Sequence, residues 1–154
     1  GLGEYGSGMD ENVIQFVKKD KELQKHILKM HLKSEDMFSI FYVLGFFLFF
    51  ELIFVFVWPV IVLPIIIAEI LIVVYKIFHP GYTVEEYEVR EIYDNIISSK
   101  LLYVECVVTK PGNKGVDGYL RGNIIKSRNE KISIGDKVIA VKIGKKAIVT
   151  KYHS

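Results

Sequence analysis

Glu51 and Glu69 are the only charged residues between Met37 and Tyr75 of this 154-residue chain, a run otherwise dominated by Phe, Leu, Ile and Val. A carboxyl group in such surroundings is costly to ionise and must face a partner or a polar cavity. Two carboxyls at one depth could share a proton, the chemistry of a proton relay, or join helices through hydrogen bonds, the chemistry of assembly. Both stand equally far from residue 60, so a turn near Val60 places them at similar depth. A structural contact within or between subunits is the expected role.

Other reactive types are explained without chemistry. Ser98, Ser99 and Lys100 put a nucleophile beside an amine, as in Ser–Lys hydrolases, but no oxyanion-hole signature accompanies them and a helix C-terminus accounts for the lysine. His26, His31, His79 and His153 have no spacing that collects them with Cys106 or with carboxylates, so no metal or other cofactor is expected. Lys110 to Gly122 is rich in Gly yet fits no phosphate-loop pattern and reads as a loop. No catalytic residue is assigned, and the chain reads as non-enzymatic.

The run that carries the two carboxyls sets the architecture. A hydrocarbon core of about 30 Å takes roughly 20 apolar residues per helical crossing, so the run is long enough to cross twice. Trp58-Pro59 through Pro64 interrupts it, because proline lacks the helix-interior N–H and disfavours helix in the residue before it. Helices are predicted over 37–57 and 62–78, with Trp58 at the interface. The alternative is one long tilted helix kinked at Pro59. Lys18, Lys19, Lys21, Lys25, Lys29 and Lys33 precede the run and Lys76 follows it, so the reading is a multi-pass protein of the cell membrane with both termini cytoplasmic. The lone Cys106 agrees with that side.

Charge is segregated along the chain. Residues 1–36 carry −1, residues 37–78 carry −1, residues 79–99 carry −4 and residues 100–154 carry +8, so the net +2 hides a basic C-terminal domain. Abundant Lys and Ile suggest an archaeal or thermophilic source, although A+T-rich genomes produce similar usage. Residues 1–8 read as an expression remnant ahead of Met9. Residues 9–36 read as an amphipathic cytoplasmic helix with Val13, Val17, Leu23, Ile27 and Met30 on one face. It either lies on the leaflet with its lysines against anionic lipid or packs on the soluble domain. In the connector 79–99, Thr83 and Glu86 match a capping box, and a helix over 84–98 is predicted.

From Leu101 the period changes to two. Strands are predicted at 101–109, 118–126, 131–134, 137–143 and 146–151, with turns at Gly135 and at Gly144-Lys145. The fold class is therefore a membrane α-helical hairpin followed by a small all-β barrel over 100–154, OB-fold-like, with one amphipathic helix on each side of the membrane segment. Arg121, Lys126, Arg128, Lys137, Lys142, Lys145 and Lys146 are expected on the basic surface of that barrel. Membrane lipids explain such a surface; Tyr103, Tyr119 and Arg121 could instead serve nucleic acid, the less favoured partner.

The order of parts, with Leu48-Phe49-Phe50-Glu51-Leu52 in the first apolar helix and Ile132 to Val149 closing a barrel, resembles the short form of the NfeD family. The resemblance covers the barrel end and the Glu-bearing helix and implies a C-terminal OB-fold. It also implies a membrane-anchored scaffold or accessory subunit working with a stomatin- or flotillin-like partner. A homo-oligomer is compatible with it. An accessory factor of a membrane insertion or translocation complex is the other functional reading.

Overall fold

The computed structural model describes residues 11–93, 102–112 and 118–152, and the chain divides into two compact units, Leu28–Pro80 and the remainder. In the first of these, Ser34 caps helix α3 (Glu35–Phe54), its Oγ accepting from the Met37 amide at 3.3 Å and donating to the His31 carbonyl at 2.6 Å. Glu35 and Asp36 in the first turn suit the helix dipole. The turn over 55–58 then leads to helix α4 (Pro59–Phe78).

The break, over 55–58, is earlier than the prolines suggest. Pro59 takes the first position of α4, where its missing N–H is no loss, so it starts the helix instead of interrupting it. Pro64 is tolerated inside α4. The predicted limits 37–57 and 62–78 are corrected accordingly. Trp58 closes the turn, its amide bonding the Phe54 carbonyl at 2.9 Å and its ring stacking on Phe54 with centroids 6.4 Å apart. The helices contact each other as a hairpin, which removes the single kinked helix. His31, itself buried, reaches the Lys76 carbonyl at 2.8 Å and ties the start of the hairpin to its end. Both helices are long and apolar enough to cross a membrane, and only 6% and 11% of their apolar windows are buried.

The other unit is built on a closed barrel. Its strands are β1 (Thr83–Tyr93), β2 (Tyr103–Thr109), β3 (Leu120–Ile125), β4 (Lys137–Ile143) and β5 (Lys146–Thr150), ordered β1-β2-β3-β5-β4. All neighbours are antiparallel except β3 and β5, which meet in parallel through Asn123 with Ile148 and Ile124 with Val149. Tyr87, Val89, Cys106, Val108, Ile124, Val138, Ala140, Ala147 and Val149 fill the interior. This is a five-stranded OB-like barrel.

Two expectations fail here. The helix over 84–98 is strand β1 as far as Tyr93; the later residues of that range lie outside the described ones. A bulge between Val89 and Glu91 shifts the register, so the inward residues Tyr87, Val89 and Ile92 are spaced two and then three apart. With Val84 added, that spacing imitates a helix. The barrel therefore begins at Thr83, not at residue 100. Conversely, 131–134 forms no strand: Ile134-Gly135 lies in a turn, closed by the Asp136 carboxylate on the Ser133 amide at 2.9 Å.

Helices α1 (Glu11–Lys19) and α2 (Lys21–Leu32) replace the single amphipathic helix expected over 9–36. The chain breaks at Asp20, whose carboxylate caps α2 by accepting from the Leu23 amide at 3.1 Å. Val13, Ile14, Val17, Leu23 and Ile27 are buried. So are Ile139, Val141 and Ile148, which alternate with the inward residues of β4 and β5 and thus point away from the barrel interior. Val13 lines one small cavity with Ile139 and Tyr152, and Phe16 meets the Tyr152 ring edge-on at 5.2 Å. Of the two readings of the N-terminal segment, packing on the barrel unit is the one observed.

Candidate functional site: a carboxyl pair within the apolar hairpin

Glu51 lies one turn before the end of α3, and Glu69 lies near the middle of α4. Because the turn precedes Val60, the two are not placed symmetrically about it, yet their side chains still meet. The Oε2 atom of each is buried and has no hydrogen-bond donor. Ionised carboxylates only accept, so two in contact leave each other unsatisfied. An open groove of about 380 Å³ runs alongside, with Ser39 and Glu69 as polar members of a lining that includes Val43, Phe47, Ile72 and Val73. Such a pair is a polar contact between α3 and α4 and can accept a neighbouring helix.

The basic residues expected on the barrel differ in exposure. Lys137, Lys145 and Lys146 are exposed, and Lys126 and Lys142 are half-buried. Arg121 is exposed on β3, but Tyr93 and Glu105 share its surroundings. Arg128 is a correction: its side chain is 12% exposed, with Nη1 on Asp20 at 2.6 Å and Nε on Glu130 at 3.1 Å. Burial opposes its charge, but the Asp20 and Glu130 hydrogen bonds prevail and hold its pKa above the usual value. Glu130 also accepts from the Thr150 hydroxyl at 2.8 Å and the Lys151 amide at 3.1 Å. Arg128 is thus the bolt between α2 and the barrel.

The residues that nucleic acid would need are divided in the same way. Tyr103 is half-buried with its phenol against His26 Nδ1 at 2.6 Å, whereas Tyr119 is 47% exposed. Glu85 takes the Lys110 ammonium at 2.7 Å and the Tyr87 hydroxyl at 2.8 Å, and the Lys110 contact holds its carboxyl below the usual range. Cys106 is interior, and burial pushes its thiol up to about 12. Gly135 and Gly144 occupy the expected turns with φ of 93° and 59°. Among the described residues no three His, Cys, Asp or Glu gather as metal ligands. Ser98, Ser99, Lys100 and His153 lie outside the described residues.

Sequence reasoning missed His31, Arg128 with Asp20, and Gly122. Gly122 faces Cys106 across β2 and β3 in the barrel wall, where a Cβ would overlap the Val149 side chain. A glycine inside a predicted strand was the available signal. Comparison of the chain with protein-family models, curated proteins and solved structures gives no match.

Proposed function

We propose that this chain is a non-enzymatic scaffold or accessory subunit of the cell membrane, anchored by its α-helical hairpin, with both termini and the OB-like barrel on the cytoplasmic side. The observation that carries this reading is the contrast between the two units. The apolar residues of the barrel strands are largely buried, whereas the 20-residue helices α3 and α4 carry Phe38, Phe49, Ile61, Leu71 and many others on their outside. An apolar surface of that extent is stable only in lipid or against other apolar helices. The lysines beside the hairpin ends support a cytoplasmic side for those ends by the positive-inside rule.

The barrel engages a membrane-protein partner of stomatin or flotillin type, as the resemblance to the short NfeD form implies. Its filled interior leaves the outer wall and loops for recognition. The carboxyl pair then serves assembly: a hydrogen-bonded polar contact joins α3 to α4 and favours close approach of further helices along the adjoining groove. Interleaved acids beside Arg121 and the engagement of Tyr103 by His26 weigh against a nucleic-acid surface. Affinity purification from native membranes tests the proposal. A stomatin- or flotillin-like protein is the expected companion; a ribosome or translocon would establish the insertion-accessory role instead, and recovery with nucleic acid alone would refute both.

A further inference from the structure

The kink between α1 and α2 falls in Lys18-Lys19-Asp20-Lys21-Glu22, which contains neither Gly nor Pro. Sharp bends in helices come from those residues or from side chains inserted into the hydrogen-bond ladder, and here the cause is the second. The Asp20 amide bonds the Phe16 carbonyl at 3.2 Å and the Gln24 amide bonds the Asp20 carbonyl at 2.9 Å, so the ladder reaches the kink from both sides. Between them, the Leu23 amide turns to the Asp20 carboxylate at 3.1 Å, and the Val17 carbonyl accepts from the Gln24 side-chain amide at 2.7 Å. In one unbroken helix the Leu23 amide would bond the Lys19 carbonyl, and the Val17 carbonyl would take the Lys21 amide. The bend is thus held by what lies across it: Arg128 on Asp20, and the burial of Val13, Ile14 and Val17 where α1 meets the barrel.

We propose that α1 exchanges between two copies of this chain: the segment straightens at Asp20 into one helix, and α1 docks on the barrel of the second copy. A second copy is the fitting occupant because the face that α1 leaves, beside Ile139 and Tyr152, is by identity of sequence the face it finds there. Straightening restores backbone bonds at the hinge, and docking on the second copy recovers the burial of Val13, Ile14 and Val17. The closed and exchanged forms therefore differ at little more than the hinge, the condition under which swapping is a low-cost route to a dimer. In either form α2 keeps its own anchors, with Glu22 accepting from the Ser127 hydroxyl at 3.0 Å and His26 against the Tyr103 phenol at 2.6 Å. The nine residues of α1 then project about 14 Å past Asp20 at helical rise, enough to reach a barrel lying against the first. Each copy gives one helix and receives one, which closes the assembly.

The test uses the full chain in detergent. A Val13→Cys copy and an Ile139→Cys copy, carrying different affinity tags, are mixed, warmed and treated with a short bifunctional maleimide; native Cys106 is buried and does not react. Each copy holds only one of the two sites, so a mixed covalent dimer in excess of that given by either variant alone is the expected product. Lys21→Pro keeps the kink, because proline suits the first position of α2 but lacks the amide that an unbroken helix needs. It should weaken the dimer at least about tenfold in analytical sedimentation. Lys21→Ala removes the same exposed charge without removing the amide and should leave the dimer intact. An unchanged thermal melt verifies that each variant is folded. Absence of the mixed covalent dimer overturns the proposal. So does a dimer that persists in Lys21→Pro, which would be held by contacts other than α1.

Discussion

Gly122→Ala places a methyl group where the barrel has no room. The added Cβ would overlap Val149 Cγ2 and lie 3.5 Å from Cys106 Sγ. Val149 is 0% exposed and cannot swing aside, because β5 is held by β4 on one side and by β3 on the other. Burying one methyl contributes about 0.8 kcal/mol, whereas overpacking a filled interior costs about 1–3 kcal/mol. The overlap is with a rigid β-branched side chain, so the upper part of that range applies and the net loss is about 1–2 kcal/mol. The seam between β3 and β5 is short, which directs the strain to barrel closure. Urea denaturation of the full chain in detergent, followed by near-ultraviolet circular dichroism of the tyrosines, measures the loss. Val149→Ala alone should also destabilise, but in the Gly122→Ala background its cost should fall by about 1 kcal/mol or more, since the clash is relieved. A Gly122→Ala variant within about 0.5 kcal/mol of wild type, or strict additivity with Val149→Ala, refutes the reasoning.

The remaining expectations concern the pair, the topology and the two bolts of the barrel unit. Glu51→Gln keeps hydrogen-bonding capacity and should preserve the oligomer distribution in a detergent dilution series, while Glu51→Leu should weaken assembly by on the order of 1 kcal/mol; equal disruption by Gln would show that ionisation matters. Single cysteines beside Lys33 and Lys76 should both be labelled by an impermeant reagent from the cytoplasmic side alone, with native Cys106 silent because it is buried; labelling from opposite sides would remove the hairpin. Arg128→Ala leaves Asp20 and the 8%-exposed Glu130 without their cation and should destabilise the barrel unit by about 2–4 kcal/mol, read as a lowered melting temperature. An excised 100–154 fragment lacks β1, and with it the buried Val84, Tyr87 and Val89, worth about 1.5–3 kcal/mol each. That sum is comparable to a domain's whole stability, so the fragment should show no cooperative melt.

What the sequence determined by itself were the features that depend on neighbours along the chain. An apolar run from Met37 to Tyr75 dictates long apolar helices because every backbone group in them can be satisfied locally. Gly144-Lys145 dictates a two-residue hairpin because Gly accepts a positive φ, and β4 occupies its predicted limits. Tertiary structure decided what depends on distant partners. Thr83–Tyr93 satisfies a helical pattern as well as an extended one, and only the need for a strand between β2 and β4 makes it β1. Residues 131–134 have strand-like composition, but the turn at Gly135 and the amide bonds around Asp136 leave them no strand partner. Arg128 looks like one more surface cation until the fold brings Asp20 to it. Glu51 and Glu69 were conspicuous as charges in an apolar run, but that their side chains meet was decided by where the turn ends α3, a matter of helix register that composition does not encode.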